Sequence, residues 1–203
     1  KIRDNYHTVL LARNLEGVME LNRLVTVSTD EEHFYYTNRI SFEEFLQISD
    51  NIISTSACLA SPLNKLPEDH PMYMKLAEKY TFLEIQPHID NEQAKFNKRL
   101  YWLSKLLNKP LIAGTDTHSA TKYKAECRMV LLGAKQQSYG NEDNFDLTMR
   151  TYDEYLQIFE KQGALPYEVY KQALDNTNLL DEMTDNWDLD KTIKYPILYG
   201  TRE

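Results

Sequence analysis

The sequence predicts an α/β fold of parallel βα units followed by a helical extension, and three features carry that expectation. Short apolar runs at residues 8–12, 52–56, 82–86 and 111–115 have ordinary strand length, about five residues each. Apolar residues at helical spacing fill parts of the intervals between them. After about residue 139 the strand-like runs stop and only helical patterns remain.

The first run is followed by Val18, Leu21, Leu24 and Val25 at helical spacing. Between the third and fourth runs, Phe96, Leu100, Leu103, Leu106 and Leu107 form an apolar stripe, with Lys95, Lys98, Arg99 and Lys105 on other faces. Asn91 is the expected N-cap of that helix, Glu92 favours its first turn, and Asn108-Lys109-Pro110 stops it. A strand, helix, strand rhythm argues for parallel pairing. These strands are too few to close a (β/α) barrel, and parallel sheets are normally covered on both faces, so further strands are expected upstream. Residues 139–144 read as a polar loop. Helices are expected at 152–161 and 167–183, the second with Val169, Ala173, Leu174, Thr177 and Leu180 as its core face. Residues 181–191 are acidic and expected at the surface. The chain therefore divides into a barrel portion, 1–138, and a loop with C-terminal helices, 139–203.

The 203 residues are 42% apolar, with 14 Tyr, 7 Phe and 2 Trp, so a packed core is expected rather than disorder. The net charge of −8 makes the chain a poor nucleic-acid binder by itself, because neutralising phosphates supplies most non-specific affinity. Cys58 and Cys127 form no CxxC pair, so neither a zinc knuckle nor a disulfide framework is indicated, and the composition fits a reducing, cytoplasmic setting. No apolar run approaches roughly 18 residues, so no membrane partner is expected.

Asp116-Thr117-His118 directly follows an apolar run, where functional groups collect in parallel α/β folds. A carboxylate and an imidazole two residues apart can converge on one metal. The bland alternative is a capping Asp beside an exposed His. His88 follows the third run and Cys58 the second, so successive strands each end in a candidate ligand. Taken singly, Cys58 is more often a small buried residue and His88 more often a loop hydrogen-bond donor. His7 precedes its run and is not selected by a rule based on strand ends. His33 and His70 sit in polar loops and are expected to be solvated. Arg39 offers a guanidinium fork for phosphate, or a partner for Glu43. Glu84 should share a strand face with Phe82 and Gln86, or pair with a lysine.

As a group these stretches resemble a known family. Tyr6-His7-Thr8-Val9-Leu10-Leu11-Ala12-Arg13-Asn14, His33-Phe34-Tyr35-Tyr36 with Arg39-Ile40, Ile53 to Ala60, Leu83 to His88, and Ala113 to His118 occur in the order seen in the PHP domains (polymerase and histidinol phosphatase) of bacterial and phage C-family replicative polymerases, the DNA polymerase III alpha type. The tail, Met149 through Tyr155 and then Tyr167 to Leu180, is similar to the closing helices of that domain. The resemblance implies a distorted (β/α)7 barrel with a cluster of divalent metal ions (Zn, Mn or Mg) at the strand ends. Matched by position, it implies His7, Cys58, Asp116 and His118 as metal ligands, with His88 in a position occupied by histidine in many members. Asp116 and His118 would be catalytic, with Arg39 steadying a phosphate. The implied activity is metal-dependent phosphoester hydrolysis, as 3′–5′ proofreading or pyrophosphate removal. DNA would be reached through the rest of the polymerase, alongside a replisome or proofreading partner. Some relatives lose ligands and serve as structural or docking modules, which is the alternative. The family's opening H-x-H, its Asp-His and an acidic ligand have no counterpart here and are expected before Lys1, so the chain alone is expected to be inactive. The polymerase palm carboxylates also have no counterpart.

Overall fold

The computed structural model describes residues 5–34, 36–138, 145–188, 190–193 and 195. The predicted loop 139–144 lies outside them. Strand β1, Val9–Ala12, leads into α1, Leu15–Val27, capped by the Asn14 side chain, which accepts from Gly17 N–H. The short helix α2, Phe42–Leu46, begins with a capping box between Ser41 and Glu44. Strand β2, Ile52–Thr55, is followed by α3, Pro62–Lys65, and α4, Tyr73–Lys79. Strand β3, Leu83–Ile85, precedes α5, Asn91–Leu107, and β4, Leu111–Ala113, precedes α6, Lys122–Ala134. The C-terminal part holds α7, Tyr152–Gln162, and α8, Tyr167–Asp175. A 3₁₀ turn, Asn176–Asn178, links α8 to α9, Leu179–Glu182.

The four strand runs are all present, and the architecture is mixed α/β. Strands β3 and β4 pair in parallel, Leu83 opposite Leu111, and a parallel bridge from Thr55 to Phe82 joins β2 to the same series. Strand β1 departs from the expected parallel rhythm: it runs antiparallel to β2, with Val9 opposite Thr55 and Ala12 opposite Ile52. Among the described residues the strands pair as β1 with β2 and β3 with β4, and no closed barrel is formed.

Alternation along the strands sorts two faces. Leu83, Ile85, Leu111 and Ala113 join the main core with Phe96, Leu100 and Leu103 of α5 and Phe159, Tyr170 and Ala173 of α7 and α8. Ile53, Phe82 and Ile112 form a second, smaller cluster covered by Leu179, Leu180 and Met183. That second face turns polar further along, at Thr55, Glu84 and Gln86, all buried.

Several local expectations need correction. The N-cap of α5 is Asp90, whose carboxylate accepts from the N–H groups of Glu92 and Gln93; Asn91 is the first helical residue. A carboxylate at that position accepts both amides and favours the helix dipole as well. The helix expected over 167–183 is broken at Asn176–Asn178, where the Asn176 Nδ2 donates to Leu111 O and draws the chain onto β4. Helix α6 was not anticipated, because its apolar residues do not form one buried stripe: Tyr123, Val130 and Leu131 are exposed and only Leu132 is buried.

Candidate metal centre

The antiparallel direction of β1 decides where His7 lies. The start of β1 stands beside the end of β2, so a residue before β1 meets a residue after β2. His7 N–H donates to Ala60 O, and His7 Nδ1 lies 3.4 Å from Cys58 Sγ. Neither cysteine forms a disulfide. Ala57, next to Cys58, has a left-handed backbone (φ 55°).

Asp116 follows β4 and also takes a left-handed conformation (φ 49°), rare for a non-glycine residue and of the kind that gathers at functional sites. The turn is held from the far side: His118 and Ser119 donate their N–H groups to Leu147 O, and Met149 N–H donates to Ser119 O. The two Asp116 oxygens face different histidines. Oδ2 is 3.3 Å from His88 Nε2, and Oδ1 is 3.4 Å from His118 Nε2. The His88 imidazole, the nearest partner, is the main cause holding the Asp116 carboxyl below the usual range. Burial opposes it, and the His88, His118 and His7 charges add to the lowering. The His88 ring is buried and stacks on Phe145 at 4.4 Å. Among the described residues its Nε2 has no hydrogen-bond partner of good geometry, a costly state for a buried nitrogen.

The cluster thus brings together His7 with Cys58, and His88 with Asp116 and His118. Separations of 3.3–3.4 Å suit atoms that share one cation. The donor set of imidazole, carboxylate and thiol suits a divalent ion such as Zn²⁺. The fit is partial, because no three His, Cys, Asp or Glu side chains among the described residues converge at ligand geometry. Each pair would need further donors.

Arg39 lies to one side. Its Nε donates to His33 O and its Nη1 to Asn5 Oδ1, and it lines a cavity of about 740 Å³ with His7, Tyr6 and Tyr80. His33 is not simply solvated: it bridges Asp30 at 2.6 Å and Glu44 at 3.0 Å, which raises its pKa, chiefly through Asp30. His70 Nδ1 accepts from Met72 N–H at a helix start.

Glu84 is buried beneath the cluster and has no lysine partner among the contacts described. Its carboxyl accepts from Thr55 Oγ1 and, at 3.0 Å, from Gln86 Nε2. Burial is the main cause that pushes its pKa up. A carboxyl with a raised native pKa favours the folded state least when ionised. Stability relative to Glu84→Gln should therefore fall as pH rises above the ordinary value of 4.5, and level off once the native carboxyl is ionised. Urea melts at stepped pH read this directly, and a pH-independent difference refutes the buried acid.

Sequence comparisons agree with this architecture. The PHP domain family model matches residues 1–88, a stretch that includes His7 and Cys58 and ends on His88. Over that stretch the chain has the sequence of a PHP domain. It is homologous over most of its length to bacterial DNA polymerase III alpha and PolC-type proteins. It is 29% identical to the DNA polymerase III subunit alpha of Borreliella burgdorferi, over 96% of this chain and 17% of that protein. It is 30% identical to the subunit alpha of Deinococcus radiodurans, over 88% of this chain and 14% of the relative. It is 26% identical to the PolC-type polymerase of Clostridium perfringens, over 89% of this chain and 13% of the relative. The chain thus spans less than a fifth of the length of these relatives.

Proposed function

We propose that this PHP domain serves a DNA polymerase III alpha-like replicase in DNA replication, and that its strand-end cluster is a divalent metal centre for phosphoester hydrolysis. The observation that carries this reading is the Asp116 carboxylate, set between His88 and His118, with the buried His88 Nε2 making no hydrogen bond of good geometry among the described residues. Residues 1–138 would form an arc of the (β/α)7 barrel and 139–203 its helical extension. The setting would be the bacterial cytoplasm; among the described residues no helix is long and apolar enough to cross a membrane.

Asp116, His118, His88, His7 and Cys58 would hold the ions, with further donors completing each position. A bound divalent cation supplies Lewis acidity toward a phosphoryl oxygen and a lowered pKa for water. Asp116 keeps its carboxylate ionised and orients two imidazoles at once. Arg39, whose fork suits phosphate oxygens, would steady the substrate from the His7 side. The net charge of −8 leaves DNA binding to the rest of the polymerase. Proofreading of a mismatched 3′ end or hydrolysis of pyrophosphate fits this chemistry.

One observation favours a second reading, that of a structural or docking module: no three donors converge among the described residues. Asp116→Ala separates the two. Under the catalytic reading the variant loses Zn²⁺ or Mn²⁺ affinity by at least tenfold to a hundredfold, on the order of or beyond the loss typical of outer residues. Titration calorimetry measures it, together with mismatched-primer hydrolysis by the full-length polymerase. No change in either leaves the scaffold reading standing.

A further inference from the structure

Three side-chain amides, two of them buried and one half-buried, hold the loop that carries His88. Asn97 of α5 pairs with the Gln86 backbone on both sides: its Oδ1 accepts from Gln86 N–H at 3.2 Å and its Nδ2 donates to Gln86 O at 2.8 Å. Gln93 Nε2 donates to Asn97 Oδ1 and fixes that amide's orientation. Gln162, the last residue of α7, closes the set. Its Oε1 accepts from Asn97 Nδ2, and its Nε2 donates to Gln86 O at 2.9 Å and to His88 O at 2.6 Å.

The same helix reaches the other ligand-bearing loop. The Tyr155 hydroxyl lies 3.2 Å from Thr117 Oγ1, between Asp116 and His118. Tyr155 and Gln162 are two turns apart on one face, about 10 Å along the axis. Phe159 lies between them, 1% exposed and stacked on Tyr170 at 5.4 Å, so α7 is anchored at its middle. Gly163 ends the helix in a left-handed cap, which fixes where Gln162 stops.

We infer that α7 is a strut that sets the spacing between the His88 loop and the Asp116-Thr117-His118 loop, with Gln162 and Tyr155 as its positioning residues. The helix lies outside the stretch matched by the family model and touches no candidate ligand side chain in the contacts described. It acts on the backbone of one loop and on the residue between two ligands in the other. This assignment rests on reading the cluster as a metal centre. Outer partners that orient ligands govern affinity nearly as strongly as the ligands do.

The test uses the whole 203-residue chain. Gln162→Met keeps the length of the side chain and removes both donors; Tyr155→Phe removes only a hydroxyl. Circular dichroism checks that each folds. In the metal-free protein Gln162→Met should shift the His88 ring resonances, because the stacking on Phe145 depends on where the loop is held. Tyr155→Phe should shift those of His118. Titrated with Zn²⁺ alone, each folded variant should bind roughly 10-fold to 100-fold more weakly than the parent chain. Asp116→Ala serves as the control. If the parent chain binds no Zn²⁺, or Asp116→Ala binds it unchanged, the metal reading fails, and the ring resonances alone then decide the strut. Unmoved resonances in the folded variants overturn it. So does full Zn²⁺ affinity in chains where Asp116→Ala abolishes binding. If Gln162→Met does not fold, Tyr155→Phe decides by the same two measurements.

Discussion

Phe159→Ala is expected to lower stability by about 3–5 kcal/mol, the range for emptying a buried phenylalanine site. For a chain of this size that is a fall of roughly 6–20 °C in Tm. The ring is 1% exposed and stacks face to face with Tyr170, so the void cannot be filled without moving α7 or α8. Helix α8 packs on β4, and the loss therefore reaches the strand that leads to Asp116. Thermal and urea unfolding of the variant measure the effect. A loss below about 1 kcal/mol would show that α7 is only loosely attached and would remove the basis for its strut role.

The second large effect is expected at Gly114. A Cβ there would overlap Glu84 Oε1 and lie 2.5 Å from Cδ and 2.8 Å from Cγ of the same side chain. The glutamate cannot simply swing away, because both its oxygens are hydrogen-bonded inside the protein, to Thr55 and to Gln86. Gly114→Ala should cost about 2–3 kcal/mol, typical of overpacking in a filled interior. Pushing Glu84 aside also strips it of partners in a buried place. Gly114 comes two residues before Asp116, so the variant should weaken Zn²⁺ binding as well as the fold. The double variant Gly114→Ala with Glu84→Ala provides the check. If the clash is the cause, removing the carboxyl restores part of the stability that Gly114→Ala loses; additive losses would place the cause elsewhere.

Much of this was legible in the chain. The four apolar runs are strands or strand ends, the α5 stripe is buried at Phe96, Leu100 and Leu103 while Leu106 at its end is exposed, and the ligand candidates after β2, β3 and β4 lie beyond the strand ends. Glu84 occupies the face that alternation assigned to it, together with Phe82 and Gln86. His7 shows where such reasoning stops. A rule built on parallel strands rejects a residue that precedes its strand, and only its match to the family's pattern kept it in view. The pairing of β1 removes the difficulty, since an antiparallel neighbour brings its beginning to the same edge as the others' ends. Strand direction is set by long-range hydrogen bonds, and no local pattern encodes it.

The Gln86, Asn97 and Gln162 clamp was likewise invisible. Each amide is unremarkable in its own segment, and their meaning arises from contacts between residues 65 and 76 positions apart. By itself the sequence determined the four strand runs, the helices α1, α5, α7 and α8, the acidic balance and the donor types available for a metal, because these depend on residue identity and short-range periodicity. Only the tertiary structure decided that His7 meets Cys58, that Asp116 stands between two histidines, and that α7 holds both loops. Those facts depend on how distant backbones pair and pack.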